Sequence, residues 1–298
     1  MEEEKKTINW AFLSSFILKI IALLTMTIDH VGALLQMNVG MNYLPAIIMR
    51  YIGRIALPLF CFMIAEGVIH SKKPSKYLLR LGIMATIIAI AMIVIEYAPI
   101  FDGFSMRSEG NIYIDLLLGA LAVYLLRNKR PVIKLLAILP IGISILSFFV
   151  KCLESTGTVV IHWFPFFLNT QYFFYGVGMI VLFYVVHFFK NMFLQYYSEK
   201  SGIDVPSLEG TNVERYSLNI FSFGVVTILT VLLFVITLVI PPDWVFWDRG
   251  IQNAAIIGGA FLLLYSGKRG YNAKWFQYGS YLYYPIHLLV IYGIGMLL

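Results

Sequence analysis

Long apolar runs alternate with short polar stretches from one end of this chain to the other. The runs fall at Phe12–Met37, Ala46–Ile69, Tyr77–Ala98, Ile112–Leu126, Pro131–Val150, Tyr172–Phe189, Leu218–Ile240, Ile251–Tyr265 and Trp275–Leu298. A helix needs roughly 20 apolar residues to cross a bilayer core, and most of these runs reach that length. They predict nine transmembrane helices. The runs 112–126 and 251–265 are short for a span and fit a tilted, extended or partly re-entrant helix. The aromatic piece Val159–Asn169 is a candidate tenth element lying in the interface. The expected fold is therefore an all-α polytopic integral membrane protein of nine or ten helices in a single bundle over residues 1–298. Its longest soluble piece is a polar cytoplasmic linker at about 190–217, carrying Pro206 and two glycines. No period of 20–50 residues marks a repeat architecture.

Composition agrees with that pattern. Hydrophobic residues are 60% and charged residues 13% of the 298 positions, and mean hydropathy is +0.81, which together exclude an ordinary soluble domain. Cys61 and Cys152 lack CxxC spacing and form no disulfide framework. The first apolar run is too long for a signal-peptide core and no small-residue cleavage site follows it, so it reads as the first span. The net charge of +6 does not call for nucleic acid, because membrane proteins concentrate Lys and Arg in cytoplasmic loops. Placing the N terminus inside puts sixteen of the 22 Lys and Arg residues on the cytoplasmic side, three outside and three within spans. A multi-pass protein of the cell membrane follows, with its N terminus in the cytoplasm and its C terminus outside.

The chemistry concentrates in Leu18–Gly32, LKIIALLTMTIDHVG, where three ionisable side chains interrupt an apolar run. A charge at membrane depth costs at least ~2.5 kcal/mol, so Lys19, Asp29 and His30 need partners, water or a task. Lys19 and His30 are eleven positions apart, three turns plus about 20°, so they share a face with ~16 Å of rise between them. Topology converts the other positions into depths. Arg54 in the second run, with Arg50 one turn from it, and His287 in the last run arrive near the level of His30, and Asp115 is somewhat shallower. Asp29, His30, Arg54, His287 and Asp115 can therefore converge in the outer half of the bundle, while Lys19, Glu66 and His70 form an inner set. An imidazole beside a carboxylate and an arginine is what proton transfer to an anionic intermediate needs. Each position also has a purely structural reading. Arg50 can snorkel to the interface, His70 and Glu96 can be solvated at helix ends, and Glu66 can be a structural partner for Lys19. His287 can be a hydrogen-bonded core histidine, Asp29, His30 and Arg54 a packing ion pair, and the clusters RNKR (127–130) and GKRG (267–270) can follow the positive-inside rule. No metal is expected.

The blocks LKIIALLTMTIDHVGALL (18–35), RYIGRIALPLFCFMIAEGVIH (50–70), KYLLRLGI (76–83), NIYIDLLLGALAVYLL (111–126), LNTQYFFYGVGMIVLFYVV (168–186), SGKRG (266–270) and YLYYPIHLLVIY (281–292) resemble the TraX family. The namesake of that family acetylates the N terminus of a conjugative pilin. Gln171 stands where the family pattern leads us to expect an acidic residue, and the segment 196–216 is longer than expected. The family is similar in turn to transmembrane acyltransferases such as glycan O-acetylases and heparan-glucosaminide N-acetyltransferases. In the O-acetylases a basic residue, ten positions and a histidine mark the first helix, a spacing that Lys19 and His30 reproduce.

The resemblance implies transfer of an acetyl group from cytosolic acetyl-CoA to an extracytoplasmic acceptor, either a peptide or pilin amine or an envelope sugar. His30, Asp29 and Arg54 would be catalytic, with Asp29 fixing the protonation state of a basic neighbour. Lys19, Glu66, Arg127, Lys129, Arg130, Lys268 and Arg269 would hold the donor, Glu66 by pairing with Lys19. Arg50, Asp115, Tyr284 and His287 would meet the acceptor. A polar channel along the first helix would lead the pantetheine arm to His30, which acts as general base or carries an acyl-imidazole. Two other classes compete: a proton-coupled transporter, because intramembrane Asp, Glu, His and Arg also mark proton relays, and a non-catalytic assembly factor. The oligomeric state is open.

Overall fold

A computed structural model describes residues 10–98, 105–107, 109–155, 161, 163–239 and 250–295. Part of the expected interfacial piece 159–169 lies outside these residues, and the rest holds a single 3-10 turn at Phe166–Leu168. Among the described residues the chain is all helical. In order the helices are α1 (Ser15–Val39), α2 (Leu44–Gly53), α3 (Ala56–His70), α4 (Pro74–Tyr97), α5 (Ile112–Leu126), α6 (Pro131–Leu135), α7 (Ile138–Ser155), α8 (Phe173–Ser201), α9 (Val205–Leu208), α10 (Asn212–Val239), α11 (Ala255–Leu263) and α12 (Lys274–Gly295). The extended contact is one isolated parallel bridge between Leu13 and Tyr265.

Among the described residues six stretches, Ser15–Val39, Leu44–His70, Pro74–Tyr97, Pro131–Glu154, Phe166–Ser201 and Asn212–Val239, are long and apolar enough to cross a membrane. The expected count of about nine is not confirmed. The helices α5 and α11 are apolar but shorter than a span, and α12 is 22 residues long but diluted by the tyrosines of QYGSYLYY. The stretch formed by α2 and α3 is central: 67% of its apolar window is buried, against 28–44% for the other five. Its Leu59, Cys61, Phe62, Ala65 and Val68 are within the main core, which α1, α4, α5, α8, α10 and α11 complete.

Four departures from the sequence pattern have local physical causes. The run 46–69 folds as two helices rather than one. Pro58 has no N–H to give to the carbonyl of Arg54, four residues back, and the chain takes 3-10 bonds instead, from Arg54 N to Tyr51 O and from Ile55 N to Ile52 O. Gly258 of α11 fits into that break, since a Cβ there would stand 2.6 Å from the Ile55 carbonyl. The segment 190–217 is mostly helix rather than linker. The helix α8 runs on to Ser201, Leu194 and Leu208 are buried, and Lys190 Nζ pairs with Glu214 at 2.5 Å. At the start of the chain, Leu13 N bonds Leu264 O, Ser266 N bonds Leu13 O, and Ser15 and Phe16 N bond the carbonyls of Lys268 and Arg269. Gly267 and Gly270, both at φ near +70°, give the GKRG loop the left-handed turns that this pairing needs. Finally, Pro285 sits inside α12 and leaves the carbonyl of Tyr281 without its helical donor. The Tyr113 hydroxyl supplies that donor at 2.7 Å.

The pairing of 13–16 with 264–269 sets α12 parallel to α1. Lys19 faces Phe276, Thr27 Oγ1 meets Tyr283 OH at 2.7 Å, and His30 meets His287 further along.

Candidate functional site

The start of α2 lies antiparallel against the end of α1. Gly32 fits against the Ala46 carbonyl and Met49 Cβ, and Gly53 leaves room for the Asp29 side chain, which a Cβ at that position would overlap. These two glycines let the helices close enough for Asp29 to meet Arg50 and Arg54, which lie one turn apart on α2 and its C-terminal break. Both guanidiniums reach the same oxygen of Asp29: Arg50 Nη1 at 2.8 Å, and Arg54 Nη2 in a close ion pair. Arg54 also donates to Tyr172 OH at 3.3 Å and to its own helix at Arg50 O. Asp29 Oδ1 and Arg50 Nε are buried without a hydrogen-bond partner.

His30 turns from Asp29 toward α12. Its Nδ1 lies 2.9 Å from Met26 O and 3.1 Å from His287 Nε2, and His287 Nδ1 lies 2.9 Å from Tyr283 O. A carbonyl only accepts, so each Nδ1 carries its hydrogen when the rings are neutral. His287 Nε2 then accepts from His30 Nδ1–H, and the remaining lone pair of the pair resides on His30 Nε2. That atom has no hydrogen bond among the described residues. Tyr283 stacks on His287 at 5.2 Å, and Tyr284 packs edge-on against His30 and His287 at 6.1 and 5.5 Å. An imidazole with its lone pair presented, next to fixed cations, can accept a proton or attack a carbonyl carbon.

The structure thus brings together His30, Asp29, Arg50, Arg54, Tyr284 and His287. Asp115 reaches the same end of the bundle in a different setting. Its carboxylate accepts from the backbone N–H groups of Gln171 and Tyr172 at 2.6 and 3.0 Å, capping the start of α8 and placing the Tyr172 hydroxyl on Arg54. Phe173 follows at φ 51°, a left-handed conformation uncommon for a bulky residue. Gln171, where an acidic side chain was expected, receives Gly110 N–H on its side-chain oxygen at 2.9 Å.

The inner set is rearranged. Glu66 bridges two histidines, His187 of α8 at 2.6 Å and His70 of its own helix at 3.2 Å, instead of pairing with Lys19. Lys19 lies over the Phe276 ring, 5.7 Å from its centroid. It lines a hollow of about 90 Å³ with Ser15, Phe16, Arg269, Tyr271, Asn272, Phe276 and Gln277. A larger, mostly apolar cleft of about 340 Å³ adjoins it across Phe276, between Leu23 and Leu24 of α1 and Trp275, Gly279, Ser280 and Tyr283 of α12. The two cavities share Phe276, and Tyr283, which lines the larger, stacks on His287. Arg127 donates to the Val68 carbonyl at the end of α3, and Lys129, Arg130 and Lys268 are exposed.

Sequence reasoning passed over His187, Tyr172 and Tyr113. His187 interrupts the apolar run YVVHFF in the inner half of its span, and the depth reasoning that selected Glu66 selects it too. Tyr113 was findable by asking which donor replaces the N–H that Pro285 lacks. The contact of Tyr172 depends on the α5–α8 cap and leaves no local mark.

Six apolar spans around buried histidine, arginine and carboxylate groups define a helical membrane protein with a polar site inside it. A family model described as "TraX protein" matches residues 14–199, more than half of the chain, and the chain belongs to the TraX family. That match contains His30, Asp29, Arg50, Arg54, Glu66, Asp115 and His187, and stops short of α12 and His287. A protein of Dichelobacter nodosus, named as a probable fimbrial assembly protein FimC of serogroup H1, is 33% identical over 122 residues, 40% of this chain and 49% of its own length. The uncharacterized protein RP591 of Rickettsia prowazekii is 31% identical over 148 residues, 50% of this chain and 46% of its own. The chain spans about half the length of the curated relatives it matches. No solved structure matches it.

Proposed function

We propose that the protein moves an acetyl group from cytosolic acetyl-CoA to an acceptor on the other side of the cell membrane. The observation that carries this reading is the His30–His287 pair, 3.1 Å between ring nitrogens, held beside the Asp29–Arg50–Arg54 cluster. The basic end faces the cytosol. There Lys19 and Arg269, with Lys268, Arg127, Lys129 and Arg130 in the neighbouring loops, draw in the nucleotide phosphates by charge-assisted hydrogen bonds. The pantetheine arm lies along the α1/α12 seam past Phe276 and Tyr283, a distance that the ~16 Å rise from residue 19 to residue 30 matches.

At the site, His30 Nε2 takes the proton of the acceptor amine or hydroxyl as the acceptor forms its bond to the acetyl carbon. The C–S bond then breaks, and the departing thiolate recovers that proton from the imidazolium, giving free coenzyme A and acetylated acceptor. Met26 O and His287 Nε2 hold Nδ1–H throughout, so the ring keeps its orientation while its charge changes. The Arg54 guanidinium faces the oxyanion of the tetrahedral intermediate. The relative named as a fimbrial assembly protein, together with the family resemblance, favours an exported pilus-type peptide amine over an envelope sugar.

The test is release of free thiol from acetyl-CoA by purified protein in nanodiscs with peptide and amino-sugar acceptors. His30→Ala is expected to lose ~10²–10⁴-fold, the range of general-base catalysis. Thiol release that does not depend on His30, or none with any acceptor, overturns the reading. The buried Glu66–His70–His187 group favours a second reading, a proton-coupled transporter. Such a protein translocates protons without consuming the thioester.

A further inference from the structure

Among the described residues, the two arginines near His30 contact one carboxylate between them. Asp29 carries one negative charge, and Arg50 and Arg54 both bind one of its oxygens. Among the described residues, no other acidic group forms an ion pair with either arginine. Asp115 accepts the backbone N–H groups at the start of α8, where the helix dipole takes up its charge. Glu96 accepts from Arg107 Nε and Met106 N, and Glu109, exposed in the loop before α5, acts on Tyr284 and Tyr292 without an ion pair to either arginine. Among the described residues the two guanidiniums therefore share a single paired carboxylate, and a cation at membrane depth without a counter-ion of its own is expensive. The Arg54 side chain is 10% exposed and gives three of its five N–H groups to Asp29, Tyr172 and Arg50 O, whereas the Arg50 side chain is 25% exposed and its Nε is buried without a partner.

We infer that this cluster seats an anionic group of the acceptor: the substrate is a peptide whose amine lies close to a carboxylate, and Arg50 holds that carboxylate while His30 faces the amine. The inference rests on the acetyl-transfer reading and names its substrate class. Two guanidiniums on one carboxylate oxygen favour the arrival of a second anion, and a guanidinium fork presents paired N–H groups to a carboxylate in one plane. With the anion fixed on Arg50, Arg54 remains on Asp29 and is available to the oxyanion.

Binding without acetyl-CoA tests this apart from catalysis. The probes are the tripeptide amide Ala-Asp-Gly, its neutral counterpart Ala-Asn-Gly and glucosamine 6-phosphate, titrated into nanodisc-embedded protein. The Asp peptide is expected to bind about tenfold more tightly than the Asn peptide, the effect of one charge-assisted hydrogen bond. The preference should persist in His30→Ala, disappear in Arg50→Gln and return in part in Arg50→Lys. Should Arg50→Gln not fold, Asp29→Asn serves: it adds positive charge and should tighten the Asp peptide alone. Equal affinities in the native protein, no binding of either peptide, a preference that survives Arg50→Gln, no tightening in Asp29→Asn, or stronger binding of glucosamine 6-phosphate each overturn the inference. Thiol release that depends on His30 but is indifferent to acceptor charge overturns it too while leaving the acetyl-transfer reading intact.

Discussion

The hydroxyl of Tyr113 and the ring of Pro285 are expected to be energetically coupled through one carbonyl. Pro285 interrupts α12 two residues before His287, and Tyr281 O, which would accept from residue 285 in an unbroken helix, accepts from Tyr113 OH at 2.7 Å instead. Tyr113 is 5% exposed, so water does not readily replace the hydroxyl. Removing it in Tyr113→Phe leaves a buried acceptor unsatisfied, with an expected loss of ~1–3 kcal/mol. In a Pro285→Ala background the residue at 285 has an N–H aimed at the same carbonyl, and Tyr113→Phe should then cost well under about 1 kcal/mol. The double-mutant cycle should return a coupling of about 1–2 kcal/mol. Unfolding of the four proteins in mixed micelles, followed by tryptophan fluorescence against denaturing detergent, measures it. Equal cost of Tyr113→Phe in both backgrounds would refute the view that Tyr113 completes the broken helix. Because Pro285 lies two residues before His287, Pro285→Ala is expected to shift His287 against His30 and lower thiol release even where it leaves the fold as stable.

Four further outcomes follow from the site geometry. Arg54→Ala should destabilise by ~1–3 kcal/mol, through the buried hydrogen bonds it leaves unmade on Asp29 and Tyr172, and Arg50→Ala by about 1 kcal/mol or less because its side chain is partly screened; the same unfolding series compares them, and equal losses contradict the assigned burial. His287→Leu should reduce kcat for thiol release about tenfold or more while His287→Gln, which keeps an acceptor for His30 Nδ1–H, retains part of it; equal effects remove His287 from the orienting role. Gly279→Leu places a side chain where a Cβ meets open space and fills the 340 Å³ cleft, so KM for acetyl-CoA should rise several-fold with thermal stability unchanged, and an unchanged KM moves the donor path away from the seam. Asp115→Asn swaps one accepting oxygen for a donor facing backbone N–H groups, and its expected loss of ~1–3 kcal/mol should appear first as faster hydrogen exchange at the start of α8.

Much of the site was legible because depth is legible. Once the apolar runs are threaded in and out, His30, Arg54 and His287 fall at one level, and there the structure joins Asp29 to Arg54 and His30 to His287. Depth does not give azimuth, and that is where the reading ran out. Lys19 and Glu66 share a level, yet Lys19 faces α12 and Glu66 faces α8, so the expected pair does not form. The break at Arg54 was readable from Pro58, and the helical character of 190–217 from Leu194 and Leu208, whose burial outweighs a polar surrounding sequence. The cap that Asp115 places on α8 joins positions 56 residues apart, and nothing in either segment announces it.

Asp29 and Asp115 show why an intramembrane carboxylate needs its partners identified before it is given a role. Both are buried, at 6% and 1% exposure, and both stand beside Tyr172 or the arginine that Tyr172 contacts. Asp115 is surrounded by backbone donors that do not change during a reaction. Its charge therefore orders the turn at Gln171 and Tyr172 and through it the position of Arg54. Asp29 is surrounded by two side-chain cations, one of them within reach of the surface, and one of its oxygens has no donor. The proposed acceptor would meet, among the described residues, two guanidiniums on one carboxylate oxygen and a second oxygen without a donor. The difference between the two carboxylates lies in their neighbours: backbone donors at the start of α8 for Asp115, side-chain cations at the α1/α2 contact for Asp29.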